Sequence, residues 1–380
     1  MIKLNIFSKF RFEGKKLDTM NKPSLIATAV GSLPHTNSDE GVDLIFECFK
    51  DMPLFPQMAN VNKLEDMTSQ VLQNMPGIVY DKKNNKFFVD NESDEFFLAL
   101  EDFYLDYDAI VGGDFTNLEK YKISKPYTST FDKFLSKIKN NQTLSFVKGQ
   151  IVGPFSFSTS LTDKNNVSVF YDDTLRDIAI KTLTLKALWQ IEEIKKTNKN
   201  ITPVIFMDEP SLSHIGTCAF LTIDINMVKN ILNDMANIFK SYGAVTAIHC
   251  CGKMPWDMLT STNVDILNFD AYSYSDNLEL YSNYISNFLN KGGIIAWGIV
   301  PTLDVNELEN VNLEILDNKF QNVVLKLEKK GINKDVLIKQ SIFTPSCGCG
   351  GLSKELAVKA CKLTSKFVEK IKEKYSEKVS

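Results

Sequence analysis

The chain has 380 residues, of which 44% are hydrophobic and 24% are charged, and its formal net charge is −4. This composition is typical of a globular protein, and the small negative charge gives no indication of a nucleic-acid or anionic-membrane partner. Arg11 and Arg176 are the only arginines among 43 basic residues. Their scarcity argues against a site that clamps several carboxylates or phosphates with guanidinium groups.

No stretch of the sequence approaches the roughly 20 apolar residues of a membrane span. The opening residues lack the apolar block and cleavage site of a secretory signal, so we expect a cytoplasmic protein. Residues 1–19 are then a tail, or Met20 is the true start. Seven cysteines suit reduced thiols better than a disulfide framework, and four of them lie within Cys250–Cys251 and Cys347–Cys349.

From about residue 145 onward, short apolar runs alternate with amphipathic runs of helical period, which is typical of βα units. The predicted strands are Leu25–Val30, a short segment ending near Gln57, Phe146–Val152, Val204–Met207, Val245–Ile248, Ile266–Phe269, Ile294–Trp297 and Ile342–Thr344. The predicted helices are Leu175–Lys196, Asn226–Ser241, Leu278–Asn290, Glu307–Lys330 and Leu352–Lys374. Eight strands close a (β/α)₈ barrel, so we predict an α/β fold with a single TIM-barrel domain over residues 20–376.

The segment from about residue 60 to residue 141 is too long for one loop of such a barrel. Within it, GIVYDKKNNKFFVD has apolar runs on both sides of an Asn-Asn turn, which predicts a β-hairpin. We predict that residues 60–141 form an insertion that carries helices and this hairpin over the barrel mouth.

Polar, ionisable and glycine residues follow most of the predicted strands. In chain order they are Gly31-Ser32, Gly153-Pro154, Asp208-Glu209, His249-Cys250-Cys251, Asp270 and Cys347-Gly348. The carboxyl ends of barrel strands share one rim, where active sites lie. We therefore expect these residues to converge, although they are far apart in the sequence.

His249, Cys251 and Cys347 are the candidate metal ligands. Residues i and i+2 of a strand face the same side, so His249 and Cys251 can face one point while Cys250 points away. Imidazole and thiolate suit zinc, and three protein ligands with one open position are typical of a catalytic site. Cys349 competes with Cys347 for the third place. The alternative is that these cysteines are small core residues.

Three acidic residues are candidates for the chemistry. Asp270 follows the strand after the histidine, and it can be a fourth ligand, the acceptor that fixes the imidazole tautomer, or a helix cap. Asp208 and Glu209 follow the apolar run VIF, where an unpaired carboxylate is costly. A substrate ammonium group would pair with them, and the alternative is a structural salt bridge with lysine.

Six segments carry a resemblance to a known superfamily: TAVGSLPHT, VKGQIVGPFSF, VIFMDEPSLS, AIHCCGKMPWDML, NFDAY and FTPSCGCGG. From about Leu25 to Lys374, the chain resembles the superfamily of uroporphyrinogen decarboxylase and the catalytic domain of cobalamin-independent methionine synthase. The HxC motif and the late cysteine are similar to its zinc-dependent methyltransferase branch.

The resemblance implies a transferase in which zinc activates a small-molecule thiol, with homocysteine converted to methionine. It implies the zinc ligands His249, Cys251 and Cys347, a substrate-binding segment at Gly31-Ser32, and Asp208 as the acid that binds the substrate ammonium group. The family places a glutamate near the metal after the HxC motif, and Asp270 is the nearest counterpart in this chain.

The methyl donor is expected to be a methylcobamide, free or on a corrinoid protein. No segment of this chain corresponds to the large amino-terminal half of the folate-dependent synthases, and few basic groups are present to attract a polyanionic folate. A thiol similar to coenzyme M is the alternative acceptor. A decarboxylase of the uroporphyrinogen type and a non-catalytic zinc-binding accessory are the alternative functions.

Overall fold

The computed structural model describes residues 22–84 and 86–375, so the predicted tail and Met20 lie outside the described residues. The strands are β1 (Ile78–Asp81), β2 (Lys86–Val89), β3 (Phe146–Val152), β4 (Thr202–Asp208), β5 (Val245–Cys250), β6 (Ile266–Phe269), β7 (Ile294–Val300) and β8 (Ser341–Pro345). The helices are α1 (Ser38–Cys48), α2 (Asp94–Val111), α3 (Phe131–Ile138), α4 (Pro154–Ser160), α5 (Asp173–Thr197), α6 (Ile225–Ser241), α7 (Trp256–Leu259), α8 (Ala271–Tyr274), α9 (Ser282–Asn290), α10 (Val305–Asn310), α11 (Leu313–Lys329), α12 (Lys334–Lys339) and α13 (Lys354–Tyr375).

Strands β3 to β8 form one parallel sheet in the order β3-β4-β5-β6-β7-β8. Each of them lies at a predicted position, within three residues at either end. The strands are buried almost throughout because parallel sheets are covered on both faces. The sequence runs VIF, AVTAI and GIIAW therefore have the near-continuous apolar character of interior strands.

The predicted closed eight-stranded TIM barrel is wrong, because the described residues form an open, curled sheet of six parallel strands. Residues 25–57 contribute no strand to it. Only single bridges join that segment to itself and to the two edges of the sheet: Ala27 with Phe343, Ser32 with Gln57, and Leu54 with Lys148.

Local backbone chemistry explains why residues 25–57 form no strands. Leu25 has a φ of 50°, outside the extended region, so the predicted first strand is broken at its start. Pro53 and Pro56 flank the second segment and have no N–H to donate to a neighbouring strand. The segment still packs at both edges of the sheet, since the N–H of Leu25 donates to Ser341 O at 2.8 Å and the N–H of Lys148 donates to Pro53 O at 2.9 Å.

The two faces of the sheet carry separate apolar clusters. On β4, Val204 and Phe206 belong to one cluster, and Ile205 and Met207 belong to the other, which also includes residues of the covering helices. We call the face of Val204 and Phe206 the inner face. The period of two places Asp208 on this face at the end of β4 and His249 on it at the end of β5.

The predicted hairpin is confirmed, because β1 and β2 pair antiparallel with Ile78 opposite Val89. In the predicted insertion, α2 and α3 pack against α5 on the outside of the sheet. The hairpin instead contacts the loop after α4, where Val89 bridges to Asp163. No helix of the described residues is long and apolar enough to cross a membrane.

Candidate metal centre

The site begins at the carboxyl ends of β4, β5 and β6. In the register of the sheet, Asp208 lies beside His249, and His249 lies beside Asn268. All three are buried, and each follows buried apolar residues on the inner face. A row of three polar side chains therefore crosses the sheet at one level.

His249, Cys251 and Cys347 come together as the sequence predicts. One ring nitrogen of the histidine and the two Sγ atoms all lie within 4.8 Å of one another. Within the described residues, this is the one group of His, Cys, Asp and Glu side chains close enough to hold a metal ion. His249 is buried, while both cysteines are partly exposed, so the group is accessible from outside the sheet.

Asn268 determines which nitrogen of His249 is free. Its amide nitrogen donates to Ala296 O at 3.0 Å and to Thr344 Oγ1 at 2.9 Å, which turns its Oδ1 toward the imidazole. Nδ1 of His249 lies 2.6 Å from that oxygen and must carry the proton. The buried Nε2 then has a free lone pair, and it makes no hydrogen bond to any described residue.

The thiols of Cys251 and Cys347 contact each other and shift each other's pKa in opposite directions. The Cys347 thiol and the His249 imidazole lower the pKa of Cys251 below its usual range. The same contact with Cys251, together with burial, raises the pKa of Cys347. The contact between the two thiols therefore favours the thiolate at Cys251, and thiolate is the form that binds metals.

Thr302, which follows β7, holds the backbone of Cys347. Its Oγ1 accepts from the N–H of Cys347 at 2.9 Å and lies 3.1 Å from the carbonyl oxygen of the same residue. Gly298 allows this approach, because a Cβ there would lie 2.5 Å from Phe269 O and 2.9 Å from the Cα of Ser346. The ends of β6, β7 and β8 are thus packed backbone to backbone beside the thiols.

Asp208 has an unpartnered oxygen in this buried row. It is 4% exposed, and its Oδ1 makes no hydrogen bond within the described part of the chain. Burial raises the pKa of Asp208, and the positive charge of Lys148 opposes that shift. Lys148 is fully buried and donates to Val30 O at 2.5 Å and to Gln150 Oε1 at 2.8 Å. The ammonium group stands in the interior near Asp208 without forming a close ion pair.

Glu209 faces a different direction from Asp208. Its Oε1 accepts from the N–H of Phe155 at 2.8 Å, and its Oε2 accepts from the N–H and Oγ of Ser156 at 2.8 and 2.6 Å. These groups belong to the first turn of α4, whose free N–H groups favour an anion. Gly153 makes room, since a Cβ there would lie 2.1 Å from Glu209 Cγ. Both oxygens of Glu209 are therefore engaged within the protein, and the substrate-binding role expected for Glu209 stays a prediction.

Asp270 caps a helix with one oxygen and leaves the other free. Its Oδ1 accepts from the N–H of Ser273 at 3.0 Å at the start of α8, and its buried Oδ2 has no partner among the described residues. Burial raises the pKa of Asp270, and the charges on Cys251 and His249 also influence it. The acceptor that fixes the imidazole tautomer is therefore Asn268, and the fourth-ligand role of Asp270 stays a prediction.

Cys250, Cys349 and Cys361 lie outside the cluster of His249, Cys251 and Cys347. Cys250 is fully buried in the core between the sheet and the helices, as the strand period predicts. Cys349 is 2% exposed and contacts the buried thiol of Cys361 on α13, whose pKa this contact raises. Cys349, the competing third ligand in the sequence, therefore faces the core.

Sequence reasoning missed Asn268, Thr302 and Lys148. Asn268 stands two residues before Asp270, so the strand period alone could have placed both on one face. Lys148 is a lone charge within the apolar run FVKGQIV, which is a signal of a special environment. Thr302 has no such signal, because its role depends on how β7 and β8 meet in space.

No protein-family profile matches this chain, and no curated protein matches it in sequence.

Proposed function

We propose that this protein is a zinc-dependent thiol methyltransferase, with Zn²⁺ bound by Nε2 of His249 and the Sγ atoms of Cys251 and Cys347. The observation that carries the proposal is the convergence of these groups within 4.8 Å, with Nε2 deprotonated by the contact of Nδ1 with Asn268. One imidazole and two thiolates suit Zn²⁺, and three ligands leave a position for a substrate.

Zinc would supply a low pKa and a fixed position for a thiol that binds to it. In the overall reaction the thiol loses its proton, its sulfur forms a bond to the methyl carbon, and the donor's bond to that carbon breaks. With a methylcobamide donor, the electron pair of the Co–C bond stays on the corrinoid. Oδ2 of Asp270 is the candidate acceptor for the released proton, since it is buried and unpartnered.

The acceptor that fits best is an amino-acid thiol of the homocysteine type. Oδ1 of Asp208 is a buried carboxylate oxygen without a partner, and a substrate ammonium group would satisfy it. A thiol without an ammonium group, such as coenzyme M, would leave this oxygen unsatisfied. Asp208 therefore favours the amino acid over the alternative acceptor.

The arginines give little support to a decarboxylase of the uroporphyrinogen type. Arg11 lies outside the described residues. Arg176 uses its guanidinium locally, donating to Phe170 O at 2.6 Å and to the Asp173 carboxylate at 2.5 Å. No described arginine is therefore free to bind the carboxylates of a porphyrinogen. With so few arginines, the protein offers little positive charge to attract a polyanionic folate, so a methylcobamide is the favoured methyl donor.

The proposal is tested in two steps with the full chain. Elemental analysis should find one zinc per chain, and X-ray absorption should show sulfur coordination rising by about one when L-homocysteine is added. The protein is then incubated with homocysteine and either methylcobalamin or methyltetrahydrofolate, and methionine is quantified. Zinc binding without methyl transfer from either donor would contradict the proposed methyltransferase activity and favour a non-catalytic zinc-binding accessory protein. Methionine formed with methyltetrahydrofolate but not with methylcobalamin would overturn the proposed methyl donor and leave the proposed activation of the thiol by zinc intact.

A further inference from the structure

The loop that carries Cys347 is held on its second side by Ser32. The carbonyl oxygen of Ser32 accepts from the N–H of Cys349 at 2.9 Å, and its Oγ accepts from the N–H of Gly350 at 3.1 Å. Residue 32 belongs to the amino-terminal segment, more than 300 positions away in the chain. Thr302 contacts Cys347 from the other side, so the loop lies between two hydroxyl side chains from different parts of the fold.

The glycines of CGCGG fit this contact. A Cβ at Gly348 would lie 2.2 Å from Oγ of Ser32 but 3.4 Å from its Cβ. A Cβ at Gly350 would lie 3.0 Å from both atoms. The hydroxyl of Ser32 therefore occupies the space that a side chain at position 348 would need. Residue 348 directly follows a metal ligand, so any shift there moves Cys347.

The amino-terminal segment needs its own support, because no strand ladder holds it. Lys148 supplies part of this support, since its buried ammonium group donates to Val30 O two residues before Ser32. The N–H of Gln57 donates to Gly31 O at 3.1 Å, and the N–H of Leu33 donates to Gln57 O at 3.0 Å. Ser32 is thus anchored on both sides and can position the loop.

We propose that Ser32 is a positioning residue for the metal ligand Cys347. Both of its oxygens are engaged by the loop, and its hydroxyl sets where residues 347–350 lie. This inference rests on metal binding by Cys347, but it is independent of methyl transfer and of the donor. It gives a second role to a residue for which the family resemblance implies a contact with the substrate.

The first test compares zinc affinities by competition with a chromophoric chelator. Ser32→Ala should weaken zinc binding by about 10-fold, the lower end of the 10–100-fold range for residues that orient metal ligands. Ser93→Ala is the matched control, since its Oγ accepts from the N–H of Phe96 at 3.2 Å at the start of α2, far along the chain from the ligands. The affinity of the control should equal that of the wild type.

The second test is a double-mutant cycle on zinc affinity. Gly348→Ala alone should weaken binding strongly, because its Cβ meets the Ser32 hydroxyl. In the Ser32→Ala background the nearest atom is the Cβ of residue 32, at an ordinary contact distance of 3.4 Å. Gly348→Ala should then cost much less, so that the two substitutions are not additive.

These outcomes separate the inference from the proposed function. Unchanged zinc affinity in Ser32→Ala, with weaker homocysteine binding by calorimetry, would show that Ser32 binds substrate and would overturn the inference alone. Additive effects in the cycle would also overturn it. A wild-type protein that binds no metal would overturn the proposed function and the inference together.

Discussion

Nδ1 of His249 and Oδ1 of Asn268 lie 2.6 Å apart on neighbouring strands, and this contact directs the opposite nitrogen of the imidazole to the thiols. Asn268 has no freedom to rotate its amide, since both of its N–H groups are bound to Ala296 O and Thr344 Oγ1. The tautomer is therefore fixed by the sheet itself before any metal arrives.

We expect Asn268→Ala to weaken zinc binding by about 10–100-fold, because His249 loses the acceptor that orients its ring. Chelator competition measures the dissociation constant. Asn198→Ala is a suitable control, since Asn198 is also buried and donates to backbone carbonyls, including Ile138 O at 3.0 Å. It should lower stability without changing zinc affinity. Equal zinc affinities for Asn268→Ala and wild type would show that the contact is incidental.

We expect Cys251→Ala and Cys347→Ala to lose most of the bound zinc, since each removes one of three ligands. Cys250→Ala and Cys349→Ala should keep a full equivalent, because both side chains are buried on the core side. Elemental analysis of the four purified variants measures this. Loss of zinc from Cys349→Ala with retention in Cys347→Ala would reverse the assignment of the third ligand.

We expect Asp208→Asn to weaken the binding of L-homocysteine by about 10–100-fold, as the loss of one charged hydrogen bond costs about 1.5–3 kcal/mol. The binding of 4-mercaptobutanoate, which has the same thiol and carboxylate but no amino group, should change little. Calorimetric titration of the zinc-loaded protein gives both constants. Equal weakening of the two thiols would mean that Asp208 supports the fold instead of the substrate.

We expect Lys186 to make stability increase with pH. This lysine of α5 is fully buried, and burial lowers its pKa to about 7 from the usual value of 10.5. Between these values the unfolded chain binds more protons than the folded one, so stability increases by at most about 1.4 kcal/mol per pH unit. Below pH 7 the folded protein bears the full cost of a buried ammonium group.

The measurement compares urea midpoints of the wild type and Lys186→Met at pH 6, 7.5 and 9. The methionine variant should be the more stable at pH 6, and its advantage should shrink toward pH 9. The hydrogen bond that Nζ of Lys186 donates to Lys122 O at 3.1 Å is lost in the variant at every pH. An advantage that does not change with pH would mean that Lys186 keeps its charge in the folded protein.

The strands after residue 145 could be predicted because each is a short, almost wholly apolar run between helical segments. Whether the sheet closes into a barrel could not be predicted from these apolar runs, because closure depends on residues 25–57. Leu25–Val30 is as apolar as the other runs, but the positive φ of Leu25 leaves only a single bridge, between Ala27 and Phe343. Tertiary packing overrides local pattern there.

The candidate metal ligands could be predicted because imidazole and thiol side chains are recognisable in the sequence. The strand period, which is a local property, places His249 and Cys251 on the same face. The residues that orient these ligands could not be predicted. Asn268 and Thr302 act through contacts between strands, and the sequence does not show the register of those strands. Glu209 shows the same limit. It is adjacent to Asp208 and chemically similar, yet it serves the first turn of α4, a role that depends on where that helix begins.

The single bridges that hold residues 25–33 also limit the order in which parts of the protein can fold during synthesis. Residues 25–28 pair with Ser341 and Phe343 on β8, so the first described part of the chain pairs with the last of the described strands. Contacts of such long sequence separation slow folding. Ser32 cannot contact the cysteine loop until residues beyond that strand have been synthesised, and until then residues 25–28 lack their partners on the strand.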